Sequence, residues 1–166
     1  MGFKATTTAK KVQHKRVVII RKRSRPWMKK DAEFWSKYFI SKKTLIKFGV
    51  CPITHFWINE NRFSCNLSYA YRIGKKYKIY SPYEDTKWIS NTTRRHVQGY
   101  IQLPSRHSIC VVTSSLKDVM SLYELGIPAI ALQSEMQMPA EALVHELQER
   151  FGVIALFYDN DFDNVN

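Results

Sequence analysis

The residues best equipped for chemistry are the carboxylates of VIALFYDNDFD. Asp159, Asp161 and Asp163 follow an apolar segment, 153–158, at two-residue spacing, and Glu135 lies just past a second apolar run, PAIAL at 128–132. In extended backbone Asp159 and Asp161 share a face. Such oxygens suit Mg²⁺, which prefers oxygen ligands and keeps waters that substrate phosphates can replace. The expected ligands are Asp159, Asp161, Glu135 and Asp163, with Mn²⁺ as the alternative ion; the same residues also fit a polar turn that closes a strand. A second group is Ser114, Ser115 and Lys117, which follow the apolar run ICVV at 109–112. Backbone N–H groups at the start of a helix there can hold a phosphate, and Lys117 adds charge, although a solvated helix-face lysine fits the pattern equally.

These residues need elements to position them. The runs 109–112, 128–132 and 153–158 are continuously apolar, as strands buried on both faces of a parallel sheet are. Between them Leu116, Val119, Met120, Leu122 and Tyr123, then Leu143, Val144 and Leu147, recur at helical spacing. The reading is β-α-β-α-β with right-handed crossovers, and function in such sheets collects at the carboxyl ends of the strands. Those ends carry Ser114 and Ser115, then Gln133, Ser134 and Glu135, then the aspartates.

The run VVTSSLKDVMSLYELGIPAIALQSE…FGVIALFYDND resembles the Toprim domain, and within it the RNA-polymerase domain of bacteriophage and bacterial (DnaG-like) primases. Asp118-Val119 is similar to the family's Asp–Val pair, and Asp159-Asn160-Asp161 to its Asp-x-Asp. Where the family has a glutamate after the first strand, this chain has Ser114, and Glu135 is the nearest substitute, one strand over. KYKIYSPYEDTKW is loosely similar to the Lys-Tyr…Ser-Pro…Lys segment of the primase lobe that precedes the Toprim sheet, at Lys78, Ser81, Pro82 and Lys87. The resemblance implies Mg²⁺-dependent chemistry with Asp159, Asp161 and Glu135 as catalytic residues, single-stranded DNA as template and ribonucleotides as substrates. It covers residues 106–163. A Toprim domain continues with another helix and strand, so a fragment, a split gene product or a second polypeptide completing the fold is expected. A helicase is a further candidate partner.

Charge is uneven along the 166 residues. Residues 1–100 hold 23 Lys or Arg against 5 Asp or Glu, a net +18, and residues 101–166 hold 3 against 9, a net −6. A basic half joined to an acidic rim suits a protein that tracks a phosphate backbone and holds metal ions. Hydrophobic content of 45% excludes global disorder. No apolar run reaches the roughly 18 residues of a membrane span, and the amino end lacks a secretory core, so a cytoplasmic protein is expected, in the bacterial host if phage-encoded. Cys51, Cys65 and Cys110 are odd in number and widely spaced, which reads as reduced packing residues, and no zinc is expected because nothing completes a four-ligand set around Cys51 and His55.

The front half divides further. Residues 1–25, with nine Lys or Arg and no acid, read as a flexible basic arm with a short strand at Val17–Ile20. Residues 26–103 read as a basic α+β lobe. Asp31 is placed as cap of a helix carrying Phe34, Trp35, Tyr38 and Phe39 as a core stripe. Ser41 starts a second helix and Gly49 stops it. This pair reads as a small helical subdomain, with a helix-turn-helix reader of duplex DNA as the alternative. HFWIN, LSYAYRI, KYKIYSP and KWISN read as strands, with a hairpin at Gly74-Lys75-Lys76. Lys75, Lys76, Lys78, Lys87, Arg94, Arg95, Lys117 and Ser114 are the expected nucleic-acid or nucleotide contacts, and Trp88, Tyr80 and Tyr83 could stack on bases or fill the core. Residues 106–166 then form an incomplete Toprim-like sheet with flanking helices, giving an α/β fold overall. The function expected is primer synthesis. A non-catalytic single-strand-binding accessory protein and a metal-dependent nuclease are the alternatives.

Overall fold

The computed structural model describes residues 18–134 and 136–158. Among these, β1 (Ile20–Ser24), β2 (Val50–Ile58), β3 (Asn61–Ile73), β4 (Lys76–Tyr80) and β5 (Trp88–Ser90) pair in sequence order as an antiparallel sheet. Helices α1 (Lys29–Ser36) and α2 (Lys42–Lys47) lie between β1 and β2 in the chain. A parallel sheet follows: β6 (His107–Thr113), α3 (Leu116–Glu124), β7 (Ala129–Ala131), α4 (Glu141–Arg150) and β8 (Phe151–Phe157), with strand order β7-β6-β8. The mixed α/β architecture is the one the sequence pattern implies.

Alternation along β6 and β7 divides their side chains between two faces. Val111, Ala129 and Ala131 pack with Leu116, Val119 and Met120 of α3, whereas Cys110, Val112 and Ile130 pack with Leu147 of α4. The two helices therefore cover opposite faces, and the order β7-β6-β8 puts the topological switch point at the carboxyl end of β6, beside β8. The first of these faces is also the roof of the front half. Phe34 and Trp35 of α1, Leu45 of α2 and Tyr69, Tyr71 and Tyr80 of the antiparallel sheet belong to the same buried cluster as α3. One core thus joins both sheets. Glu124 at the end of α3 accepts the Ser41 N–H at the start of α2 (2.7 Å), and the Ser121 hydroxyl of α3 donates to the Tyr38 carbonyl (3.0 Å).

Several expectations are corrected. The basic stretch before residue 26 contributes a strand at Ile20–Ser24, whose backbone pairs with β2 and whose Ile20 is buried; Val17 lies outside the described residues. Ladder hydrogen bonds do not read side chains, so a lysine-arginine run pairs once one apolar residue anchors it. β2 begins at Val50 and contains Pro52. The Pro52 carbonyl accepts the Arg25 N–H (3.0 Å), so the missing N–H points to the side where β1 has already ended and costs no ladder bond. Phe39 is 86% exposed, not part of the core stripe. α1 ends at Ser36 and Phe39 turns into left-handed backbone (φ 57°), so helical spacing no longer governs it. Asp31 stands inside the first turn and receives the Met28 N–H (2.8 Å). Ser41 and Gly49 act as read: Ser41 Oγ accepts the Thr44 N–H, and Gly49 has φ +70°. The β3–β4 hairpin turns on Gly74-Lys75, with Gly74 at φ +60°. Residues 97–103 pack on the parallel sheet: Gln98 exchanges both backbone hydrogen bonds with Ala131, and its Nε2 donates to the Leu132 carbonyl (2.7 Å).

Candidate active site and nucleic-acid interface

A cleft of about 680 Å³ opens between the two sheets. Its floor on the antiparallel side is Lys78 and Tyr80 of β4 with Lys87 and Trp88 at the start of β5; opposite stand Ser114, Ser115, Lys117 and Asp118 at the β6–α3 turn, with Gln133, Ser134 and Met136 beyond β7. The cleft therefore lies at the carboxyl ends of β6 and β7, the end of the strands at which open α/β sheets hold ligands.

Aromatic rings hold the cations in place on both walls. Lys78 Nζ lies 4.6 Å from the centroid of Trp88, which stacks on Tyr80 (4.3 Å between centroids, 18° between planes). Across the cleft Lys117 Nζ lies 4.2 Å from the Tyr38 ring. Burial holds the Lys78 ammonium below its usual pKa, and burial followed by the neighbouring Tyr38 hydroxyl pushes Tyr80 up to about 12. Tyr80 is thus a buried support, whereas Trp88, 38% exposed, keeps ring surface open to a ligand.

The β6–α3 turn is built around Asp118. Ser115 caps α3, its Oγ accepting the Asp118 N–H (3.3 Å), and the Asp118 carboxylate accepts both Ser115 Oγ (2.6 Å) and Ser114 Oγ (3.2 Å). Ser114 is therefore a hydroxyl donor to the neighbouring carboxylate. Gln133 fixes the other end of the rim: it accepts the Thr92 hydroxyl (2.6 Å) and donates to the His96 carbonyl (2.6 Å).

Of the expected contacts, Lys78, Lys87, Lys117 and Ser114 meet in this cleft. Lys75 and Lys76 sit at the β3–β4 turn outside it. Arg94 and Arg95 border a separate groove of about 430 Å³ against α4, where the Arg94 carbonyl accepts Gln137 Nε2 (2.8 Å). Ser81 is buried and bonds Ser68 (2.8 Å), which makes it structural. Asp159, Asp161, Asp163 and Glu135 lie outside the described residues, and among the described ones no group of three His, Cys, Asp or Glu could hold a metal. Sequence reasoning did not anticipate Tyr38 as the platform for Lys117; no spacing rule links an α1–α2 connector to a helix some 80 residues later.

The fold is that of primase catalytic domains. The chain is similar to the DnaG primase catalytic domain bound to single-stranded DNA (TM-score 0.62, 12% identity, 84% of this chain and 56% of that one). It is also similar to the primase fragment of the bacteriophage T7 primase-helicase protein (TM-score 0.51, 19% identity, 76% and 53%). A third match is a T7 lagging-strand DNA polymerase assembly with primase domains of two gp4 subunits bound to an RNA/DNA hybrid and dTTP (TM-score 0.52, 19% identity, 75% and 57%). The chain spans little more than half the length of each of these. No family model matches the sequence, and no curated protein does.

Proposed function

We propose that this chain performs primase-type chemistry, joining ribonucleotides into short primers on a single-stranded DNA template. The observation that carries the reading is the cleft itself: three lysines, two of them seated on aromatic rings, line it from both walls at the carboxyl end of β6, on a fold shared with primase catalytic domains. Lys78, Lys87 and Lys117 would hold template and triphosphate charge, and the exposed edge of Trp88 would border the bound strand. In the reaction a primer 3′ hydroxyl attacks the α-phosphate of the incoming nucleotide, its proton leaves to a base and pyrophosphate departs.

The donor set fits Mg²⁺. Thr113 pairs with Phe157, so β8 ends level with the Ser114–Ser115 turn, and the residues that follow Tyr158 in sequence offer only oxygen ligands. Asp159 and Asp161, with Glu135 and Asp163, would hold the ion, which supplies Lewis-acid stabilisation of the phosphates when bound. A further polypeptide segment is a second element of the proposal. Among the described residues β8 pairs on one side alone, with Val153, Leu156 and Phe157 exposed, a pattern that suits an interior strand better than an edge. The test is Asp159→Ala or Asp161→Ala: each should abolish Mg²⁺-dependent primer synthesis with the circular dichroism melt unchanged, and full activity in either would sink the assignment. The single-strand-binding alternative draws on Ser114, whose hydroxyl cannot serve as a carboxylate base. That reading expects binding indifferent to Mg²⁺ and no new products.

A further inference from the structure

The β2–β3 hairpin carries a second surface, remote in sequence from the cleft residues. Directly opposite residues of an antiparallel pair share a face. The register therefore sets Arg21 of β1, Trp57 of β2 and Arg62 of β3 in one row, and Arg23, His55 and Ser64 in the next row on the same face. The opposite face carries Ile20, Phe56 and Ala70, all buried, with Lys22 opposite Phe56 at its margin. No acidic residue occurs in any of the three strands; Glu60 in the hairpin turn is the nearest in sequence.

The rows are organised as well as charged. Arg21 lies 5.8 Å from the Trp57 centroid and donates to the Asn59 carbonyl at the hairpin turn (3.1 Å), so its guanidinium is placed over the ring. Trp57 meets His55 edge-on (4.9 Å, 74°). Burial, then the charges of Arg62 and Arg23, keep His55 below its ordinary pKa and so favour a neutral, stackable ring. None of the three arginines has an ion-pair partner among the described residues. Exposed guanidinium groups spaced along two strands, with an indole between them, match the alternation of phosphate and base in an unpaired strand.

We propose that this face of β1–β2–β3 is a second binding track for single-stranded nucleic acid, in which Arg21, Arg23 and Arg62 contact phosphates and Trp57 stacks on a base. It needs no metal and no nucleotide, so it stands or falls separately from primer synthesis. Fluorescence anisotropy of the full chain with labelled (dT)20 and (U)20, across a salt series without Mg²⁺ or ribonucleotides, tests it. Arg21→Gln/Arg23→Gln/Arg62→Gln should weaken binding at least tenfold at low salt and flatten the log–log salt slope by about 2, since each phosphate contact on a single strand contributes roughly 0.7. Trp57→Ala should weaken binding several-fold with little change in slope. Equal losses on DNA and RNA identify a general single-strand track, and a loss confined to one identifies its sugar preference; both support the proposal. Unchanged affinity and slope in the triple variant, with an unchanged melt, overturn it. So does a triple variant that loses pull-down of a protein partner while keeping both oligonucleotides.

Discussion

At the scale of single residues, Asp31 and Lys78 show opposite uses of burial. Asp31 is fully buried and accepts Arg25 through two 2.7 Å bonds, the Met28 N–H and the Tyr69 hydroxyl (2.9 Å). Burial raises its pKa, but the Arg25 hydrogen bond followed by those from Met28 and Tyr69 outweighs it, and the net shift is downward. A carboxylate with a depressed folded pKa stabilises above its unfolded value of about 3.9, and that contribution fades as pH falls through the folded value. Asp31→Ala should cost about 3–5 kcal/mol at pH 7, because it strands a largely buried guanidinium, and the difference from the parent should shrink below about pH 4. Urea unfolding at both pH values checks this. Lys78 is the reverse. Its folded pKa is lowered by burial, so its charge costs stability at neutral pH. Lys78→Met keeps the apolar stem, and should leave the melting temperature unchanged or higher while weakening oligonucleotide affinity several-fold. A melt that falls together with affinity would show that the ammonium serves the fold.

At the scale of elements, the β6–α3 turn is where local structure and site coincide. Ser115→Ala removes the cap of α3 and should cost about 1 kcal/mol by denaturant titration. It also loosens Asp118, so oligonucleotide binding at the cleft should weaken beyond what the stability change explains. Gly99 is the other demanding position: at φ +82° an added Cβ would meet Val119 Cγ1 at 2.6 Å and the Ala129 carbonyl at 2.9 Å. Gly99→Ala should therefore destabilise by about 1–3 kcal/mol, visible as a lower melting temperature. Elements whose evidence is local were legible in the sequence. The three apolar runs became β6, β7 and β8, and Ser41, Gly49 and Gly74 end or turn the backbone as their chemistry dictates. What was not legible is set by pairing partners: β1 is a strand because β2 offers a ladder, and Pro52 is tolerated because β1 stops short of it. In the cleft, Lys78, Lys87, Lys117 and Ser114 could be read from spacing and resemblance. Their separation from Arg94 and Arg95 could not, since residues 97–103 fold back onto the parallel sheet and carry the preceding loop to another groove.

At the scale of the molecule, the two sheets share one buried cluster, so they should not melt separately. All four tryptophans, Trp27, Trp35, Trp57 and Trp88, belong to the front half, whereas far-ultraviolet circular dichroism reports both halves. Coincident urea transitions by the two probes are expected; a separated tryptophan transition would show that the front half unfolds alone. The shared core also gives the cleft its fixed walls, since α3, which carries Lys117, belongs to the same buried cluster as Tyr80. The primer synthesis proposed above would use such a frame, because phosphoryl transfer is helped mainly by positioning and charge. The most direct measurement is a gel assay of the chain with end-labelled single-stranded DNA, labelled ribonucleotides and Mg²⁺. Short ribonucleotide products that vanish on chelation are the predicted result. Shortened DNA, or no product at concentrations where the chain binds the template fully, would contradict primer synthesis.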